Sequence, residues 1–196
     1  MMTAADLIAF EAEVAEAFNA ARIRAPVHLA GGNEEQLIEI FRDVRPNDWI
    51  ATTWRSHYHC LLKGVPRDEL MNEILAGRSI TLNFPSHRIV SSAIVGGVLP
   101  IALGIAWAIK RKGRDERVWA FLGDMTERAG VSWECAEYAA GHGLPITFVI
   151  EDNGLSVCTP TVDTWITTAN AGDERRYRYR YKLPWPHAGA GRRVEF

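Results

Sequence analysis

The hydrophobic and polar positions of this 196-residue chain predict helices that alternate with short buried strands. Apolar residues recur on one face of a predicted helix from about Ala4 to Arg24. Two apolar runs of five residues, Val118–Leu122 and Ile146–Ile150, are typical of buried strands, and Val131–His142 between them predicts a helix. Helical crossovers of this kind join parallel strands, so the pattern predicts an α/β fold in which helices flank a parallel sheet in three layers.

Periodicity and turn residues place the other elements. Pro66 and Gly77 bound one predicted helix, and Gly113 follows another. The remaining predictions are helices at Glu34–Arg42, Arg67–Ala76 and Ala93–Lys112, a strand at Trp49–Thr53, a polar loop or helix start at Trp54–Cys60, and irregular chain at Arg78–Ser92. We expect one domain over residues 1–196, with a C-terminal tail from about residue 160.

Composition and charge restrict the class of protein. A hydrophobic content of 47% is ordinary for a globular core, and a net charge of −2 gives no general attraction to nucleic acid or to membrane surfaces. The three cysteines lie far apart and form no Cys-x-x-Cys pair, which favours reduced thiols and a cytoplasmic location. We therefore expect neither nucleic acid nor a membrane among the partners.

One uncharged segment tests that expectation. Ile89–Ile109 carries no charge over 21 positions, which is long enough to cross a bilayer. Its serines, glycines and Pro100, and the absence of a second such segment in the sequence, favour a helix buried between the sheet and a neighbouring element. The glycines would let the N-terminal end of this helix approach another backbone closely.

The tail contains an alternating segment in which arginine and tyrosine take turns over residues 176–181. In a strand, this alternation would place the arginines on one face and the tyrosines on the other. Basic residues interleaved with aromatic ones also occur in proteins that bind single-stranded nucleic acid. The net charge and the short length favour a docking strand, a partner contact or a phosphate contact, and Pro184–His187 is expected to be extended, irregular chain.

Polar residues follow both predicted central strands. Gly123 and Asp124 follow the first strand, and Asp152 and Asn153 follow the second. Parallel strands place their carboxyl ends side by side, where open α/β sheets bind ligands. Asp124 and Asn153, with the carbonyl of Leu155, would suit a hard cation such as Mg²⁺ whose octahedron is completed by phosphate oxygens. The alternative is that Asp124 caps a helix and that Asn153 belongs to a turn.

The same residues carry a family resemblance. Gly123–Asn153 resembles the thiamine-diphosphate motif, in which Gly-Asp-Gly is followed, after a crossover helix, by Asn-Asn. His87–Lys112 and Asp48–His57 resemble the α subunit of the 2-oxo acid dehydrogenase first component of pyruvate and branched-chain complexes. Val131–Leu144 and Asp152–Leu155 are closer to transketolases. The combined order of these segments is far more specific than the short motif alone.

The resemblance covers roughly residues 27–160 and implies a function. It implies the diphosphate-binding domain of the thiamine-diphosphate-binding fold, with thiamine diphosphate and Mg²⁺ as cofactors. The chain would then be the α-like subunit of a two-chain, heterotetrameric enzyme that decarboxylates a 2-oxo acid and transfers the acyl or aldehyde unit. A separate pyrimidine-binding, β-like subunit would supply the activating glutamate, for which 196 residues leave no room.

Two alternatives stay open. Nothing after Thr159 reproduces the histidine-rich loop of the dehydrogenase α subunits. The chain could therefore be the small subunit of a split transketolase-like enzyme that takes a ketose and moves a two-carbon ketol unit. A non-catalytic cofactor-binding or regulatory subunit of the same fold is the second alternative, and Met125 motivates it because the family has glycine there.

By resemblance, several residues would contact the cofactor. Arg55 takes the place of the arginine in the family's Tyr-Arg pair, and its planar fork suits diphosphate, although an ordinary surface arginine is the alternative. Ala93 and Val95 match the segment whose backbone contacts the aminopyrimidine ring. Met125 would crowd the diphosphate or prevent a positive φ angle, and Thr126 would offset this change with a hydroxyl donor.

Three histidines are predicted to lie in polar loops. His57 and His87 are the candidate catalytic residues, because a loop folded over the cofactor would let them shuttle protons or bind a substrate oxyanion. His57 matches the family's Arg-x-His, whereas His59 is expected to be structural. The His-x-His spacing also fits zinc, but no further ligand cluster in the sequence supports a zinc site.

Overall fold

The computed structural model describes residues 2–165 and 176–192. Its strands are β1 Trp49–Thr52, β2 Asn83–Phe84, β3 Ile89–Ser91, β4 Val118–Gly123, β5 Ile146–Asp152, β6 Leu155–Ser156, β7 Thr159–Pro160 and β8 Arg176–Arg180. Its α-helices are α1 Ala4–Asn19, α2 Glu34–Phe41, α3 His57–Leu62, α4 Arg67–Glu73, α5 Val98–Arg111, α6 Asp124–Glu127, α7 Gly130–Gly141 and α8 Thr161–Thr164. A π-helical turn, Ile74–Arg78, follows α4, and a 3₁₀ turn, Pro85–His87, precedes β3.

Six strands form the central sheet in the order β2-β3-β1-β4-β5-β8. Every pairing in it is parallel except the pairing of β2 with β3. Because β4 and β5 are buried on both faces, alternate residues of one strand enter two different cores. On β4, Trp119 and Phe121 face a core with α1 to α4, whereas Val118, Ala120 and Leu122 face a core with α5 and α7. The predicted three-layer α/β architecture is confirmed.

The predicted irregular segment at Arg78–Ser92 contains two strands, so that prediction is wrong in part. β3 has three residues and β2 has two, which is too short for a periodic signal in the sequence. These short segments are strands because of their pairing in the sheet: β3 pairs with β1, which lies about forty positions earlier in the chain. Arg88, which joins the 3₁₀ turn to β3, has a left-handed backbone at φ 58°.

The long helix α5 begins at Val98 and not at Ala93 as predicted. Gly96 has a φ of +73°, which a right-handed helix does not accept. A Cβ atom at Gly96 would also lie 2.7 Å from Cγ1 of Val131, so the chain approaches α7 closely at this point. The uncharged segment is therefore split between β3, a turn and α5, and within the described residues no helix is long and apolar enough to cross a membrane.

The alternating Arg-Tyr segment docks as a strand at one edge of the sheet. β8 pairs in parallel with β5, with Val149 opposite Tyr177 and Glu151 opposite Tyr179. Tyr179 packs against the core that contains α1 to α4, and Arg178 points away from that core to bond Asp152. The prediction of a docking strand with tyrosines and arginines on opposite faces is confirmed for these residues.

Candidate functional site

A cleft lies where the carboxyl ends of β1, β4 and β5 meet. Six residues predicted from the sequence line it, because the parallel strands deliver their following loops to the same edge. These are Arg55, Val95, Met125, Thr126, Asn153 and Leu155. The other lining residues are Thr53, Trp54, Gly123, Glu151, Ser156, Val157, Tyr181 and His187.

Asp124 begins α6 immediately after β4 and is 4% exposed. Its Oδ2 accepts a hydrogen bond from Oγ1 of Thr161, but its buried Oδ1 has no hydrogen-bond partner among the described residues. Burial raises the pKa of Asp124 above its usual value. A buried carboxylate oxygen without a partner is costly unless a ligand supplies one, so the site fits a bound cation. Asp124 itself is not a lining residue of the cleft, although its chain neighbours Gly123 and Met125 are.

Asn153 lies in the turn between β5 and β6. Its Oδ1 accepts a hydrogen bond from the backbone N–H of Leu155 at 3.0 Å, and Gly154 adopts a φ of +71°. Asn153 therefore belongs to a turn, as the alternative prediction stated. The turn does not prevent Asn153 from binding a metal ion, because a carbonyl oxygen has two lone pairs and both Asn153 and Leu155 line the cleft. Within residues 2–165 and 176–192, no three His, Cys, Asp or Glu side chains gather as a metal cluster.

Met125 lines the cleft. Its φ angle is not positive, so its backbone conformation is one that any L-amino acid adopts. The concern that this position needs glycine for its backbone angle therefore does not apply. The other predicted effect, crowding of the diphosphate by the side chain of Met125, still applies because Met125 lines the cleft. Sδ of Met125 accepts a hydrogen bond from Nε1 of Trp165 at 3.2 Å. That contact ties the methionine side chain to the end of α8.

Arg55 lines the cleft and is not an ordinary surface arginine. Its Nη2 donates a hydrogen bond of 2.8 Å to the backbone carbonyl of His187, and its buried Nε has no partner among the described residues. Burial lowers the pKa of Arg55, and the charge of Glu151 opposes this shift. The guanidinium remains a cation with donors available to a ligand.

The prediction that His57 and His59 lie in polar loops is wrong. Both belong to α3 and are essentially buried. His57 contacts both carboxylate oxygens of Glu11 at 2.9 Å through Nδ1 and the hydroxyl of Ser79 at 2.9 Å through Nε2. The ring of His59 packs edge-on against the rings of Phe121 and Phe41, with centroid distances of 4.4 Å and 6.1 Å. Neither histidine lines the cleft, so the placement of His57 does not support a catalytic role.

His87 and Ala93 are also not brought into the cleft lining. His87 lies in the 3₁₀ turn before β3, where its ring packs edge-on against Phe84 and its Nδ1 lies 3.2 Å from Oγ of Ser86. Ala93 precedes the rim of the cleft, which Val95 forms two residues later. The structure thus supports Val95 as a lining residue and leaves the roles of His87 and Ala93 as predictions.

Several lining residues were missed by the sequence analysis. Glu151 is the first charged residue of strand β5, after an uncharged run, and its position at the carboxyl end of that strand was the available sequence signal. Tyr181 is the last residue of the alternating segment, and burial raises its pKa well above its ordinary value. His187 lies in chain without periodicity, so no local pattern indicated it. These three residues form one end of the cleft together with Trp54 and Arg55.

An ion-pair network joins β8 to the carboxyl ends of the central strands. Arg178 bonds Asp152 through Nη1 at 2.6 Å and Glu127 through Nη2. Nε of Arg180 lies 3.3 Å from the same oxygen of Asp152. Both carboxylates are buried, with relative exposures of 8% for Asp152 and 4% for Glu127. The tail strand therefore neutralises the negative charge beside Asp124.

The fold and the site define an α/β protein with a cleft at the carboxyl edge of a mostly parallel sheet, and Arg55 and the buried Glu151 are among the residues that line this cleft. The family model described as dehydrogenase E1 component matches residues 2–173. The chain therefore belongs to the dehydrogenase E1 component family.

Relatives among curated proteins agree with this assignment. The chain is 30% identical over 175 residues to the alpha subunit of the acetoin:2,6-dichlorophenolindophenol oxidoreductase of Cupriavidus necator, a match that covers 82% of this chain and 53% of the relative. It is 29% identical to the chloroplastic pyruvate dehydrogenase E1 component subunit alpha-3 of Arabidopsis thaliana, covering 79% of this chain and 41% of the relative. The chain thus spans about half the length of the curated relatives it matches.

Proposed function

We propose that the chain is the diphosphate-binding, α-like subunit of a two-chain thiamine-diphosphate enzyme that decarboxylates a 2-oxo acid and transfers the acyl unit. The observation that carries this proposal is the convergence of Asn153, Leu155 and Thr126 on one cleft, next to Asp124, whose buried Oδ1 has no hydrogen-bond partner among the described residues. Membership of the dehydrogenase E1 component family supports it. The relatives are alpha subunits of oxidoreductases and dehydrogenases, so they give no support to the transketolase-like or non-catalytic alternatives over this one.

Different residues in and next to the cleft would bind the metal ion, the diphosphate and the pyrimidine ring. Asp124 and Asn153, with the carbonyl of Leu155, would hold Mg²⁺ with hard oxygen ligands. Arg55 and Thr126 would contact the diphosphate, where the arginine offsets its negative charge. Ala93 and Val95 would approach the pyrimidine through their backbones. When bound, thiamine diphosphate supplies the carbanion stabilisation that decarboxylation requires.

A second polypeptide completes the proposed active site. The family's activating glutamate would come from a pyrimidine-binding, β-like subunit. Val95, which lines the cleft, and its chain neighbour Ile94 expose 60% and 73% of their surface, which supports an apolar patch that another chain covers. The substrate would reach the cofactor between the two chains, with a 2-oxo acid as the donor.

Isothermal titration calorimetry with thiamine diphosphate and Mg²⁺ tests this proposal. The chain is titrated alone and together with its candidate β-like partner, and the expected result is a saturable heat that requires Mg²⁺ in at least one of the two states. Release of carbon dioxide from pyruvate by the two chains together, but by neither alone, is the expected activity. If both chains are folded and neither state gives heat, the proposed function is wrong.

Replacing Met125 with glycine should strengthen cofactor binding and weaken the fold slightly. We expect Met125→Gly to bind thiamine diphosphate about tenfold more tightly, because the side chain that occupies the cleft wall is removed. The free energy of unfolding should fall by about 1 kcal/mol, because glycine disfavours the helix α6. Calorimetry and urea denaturation measure the two effects.

Met125→Leu is the matched control, because leucine keeps the volume of the side chain but not its sulfur. We expect its affinity for thiamine diphosphate to stay close to that of the wild type. Weaker cofactor binding by Met125→Gly would contradict the crowding argument and indicate that the thioether contributes a favourable contact.

A further inference from the structure

The segment that follows β8 returns to the cleft and is held there at two backbone positions. The carbonyl of His187 accepts hydrogen bonds from Nη2 of Arg55 at 2.8 Å and from Nδ1 of His28 at 2.7 Å. Two residues later, the N–H of Gly189 donates to the carbonyl of Val27 at 2.8 Å. Gly189 has a φ of +73°, and a Cβ there would lie 3.2 Å from the ring of Phe18. The backbone around His187 is therefore positioned independently of its imidazole.

The protonation of the two histidines follows from their partners. Burial lowers the pKa of His28 to about 4, so its Nδ1 is the neutral N–H donor to the His187 carbonyl. Burial and the nearby guanidinium of Arg55 also lower the pKa of His187. Nη2 of Arg55 lies 3.4 Å from Nδ1 of His187, and a guanidinium only donates, so this nitrogen is the acceptor. The proton of the His187 ring is therefore assigned to Nε2.

His187 lines the cleft beside Arg55, so a hydrogen-bond donor and a cation occur together at one end of the site. An oxygen with negative charge suits both groups, because charge-assisted hydrogen bonds are the stronger ones. Nε of Arg55 is buried without a partner among the described residues, which leaves donor capacity in the same wall. Glu151 also lines this end, and its Oε1 accepts the hydroxyl of Tyr179.

We infer that His187 is a substrate-contacting residue of this cleft, whose Nε2–H donates a hydrogen bond to an oxygen of a small carboxylate substrate. This inference rests on the proposed function and deepens it, because it assigns the imidazole of His187 to an anionic substrate, whereas Arg55 keeps its proposed contact with the diphosphate. A neutral ketol of similar size gains less from this donor, because a hydrogen bond to a charged oxygen is stronger than one to a neutral oxygen.

The test uses His187→Ala in the full chain, assembled with the β-like partner for kinetics. This variant keeps the backbone carbonyl that Arg55 and His28 bond, so only the imidazole is lost. We expect the KM for pyruvate to rise about tenfold, as for the loss of one hydrogen bond to a charged group, with a smaller change in kcat. His187→Gln, which retains an N–H donor, should recover part of the loss.

A second readout does not depend on catalysis. In the full chain labelled with ¹⁵N-histidine, pyruvate should shift the imidazole signal that His187→Ala removes, whereas the neutral ketol acetoin should not. His142→Ala is the control, since His142 lies outside the cleft and its carbonyl likewise accepts a side-chain donor, here from Lys110. An unmoved His187 signal with pyruvate, or an equal shift with acetoin, overturns the inference.

Thiamine-diphosphate calorimetry on the same proteins separates this inference from the proposed function. Equal cofactor heats for wild type and His187→Ala, with an unchanged KM for pyruvate, would refute the role of His187 and leave the proposed function intact. Absence of cofactor heat in the folded wild type would refute the proposed function, and the pyruvate-induced shift would still decide whether His187 contacts a carboxylate.

Discussion

Asp124→Asn is expected to lower the affinity for thiamine diphosphate in the presence of Mg²⁺ by more than about 100-fold, because even residues that only support a metal ligand contribute 10–100-fold. The substitution keeps the shape of the side chain and its acceptor for Thr161 but removes the negative charge that a hard cation requires. Calorimetry at fixed Mg²⁺ measures the effect. Asp163→Asn, an exposed position on α8, is the matched control and should bind like the wild type.

The same variant should not weaken the fold, and this separates loss of ligation from loss of structure. Burial raises the pKa of Asp124 in the folded chain, so the folded state favours the neutral carboxyl. The stability that this preference contributes is present below the ordinary pKa and is lost as the pH rises through the folded-state pKa. At pH 7 the cofactor-free Asp124→Asn chain should therefore be at least as stable as the wild type in urea. Unchanged cofactor affinity would refute the metal assignment.

Arg178→Ala is expected to lower the free energy of unfolding by about 3–5 kcal/mol, the usual cost of removing one partner from a buried ion pair. Arg178 is 21% exposed and bonds two buried carboxylates, those of Asp152 and Glu127. Its removal takes away the main cation beside them, and it also loosens the attachment of β8 to β5. Urea denaturation followed by circular dichroism measures the change.

The neighbouring arginine provides the control. Arg180 reaches the same oxygen of Asp152, but its side chain is 72% exposed and therefore screened by solvent. Arg180→Ala should cost less than about 1 kcal/mol. Similar losses for the two variants would show that strand docking through the tyrosine face, and not the buried ion pairs, holds the tail in place.

Local sequence patterns were sufficient for the centre of the fold. β4, α7 and β5 appeared close to their predicted bounds, because a run of buried apolar residues and a helical crossover leave periodic signals within a few residues. The expected placement of Asn153 and Leu155 in one cleft with Met125 and Thr126 followed from the same reasoning, since parallel strands end at one edge of the sheet.

The histidines show where such reasoning fails. His57 looked like a loop residue because its neighbours in the sequence are polar, but Glu11 and Ser79, both distant in the chain, enclose it in the core. His187 looked irregular and without a role, but Arg55 and His28 hold its backbone at the cleft. Whether a side chain is buried, and which groups it bonds, depends on residues far away in the sequence, and a local sequence pattern does not predict those contacts.

The sequence by itself determined the alternation of strand and helix, the strand ends that carry Asp124 and Asn153, and the family resemblance. The tertiary structure decided which side chains reach the cleft, why Met125 needs no special backbone angle, and how β8 neutralises Asp152. The physical reason is the range of the interactions. Hydrophobic periodicity and turn chemistry act between near neighbours, whereas burial, ion pairing and the shape of a cleft arise only when distant segments pack together.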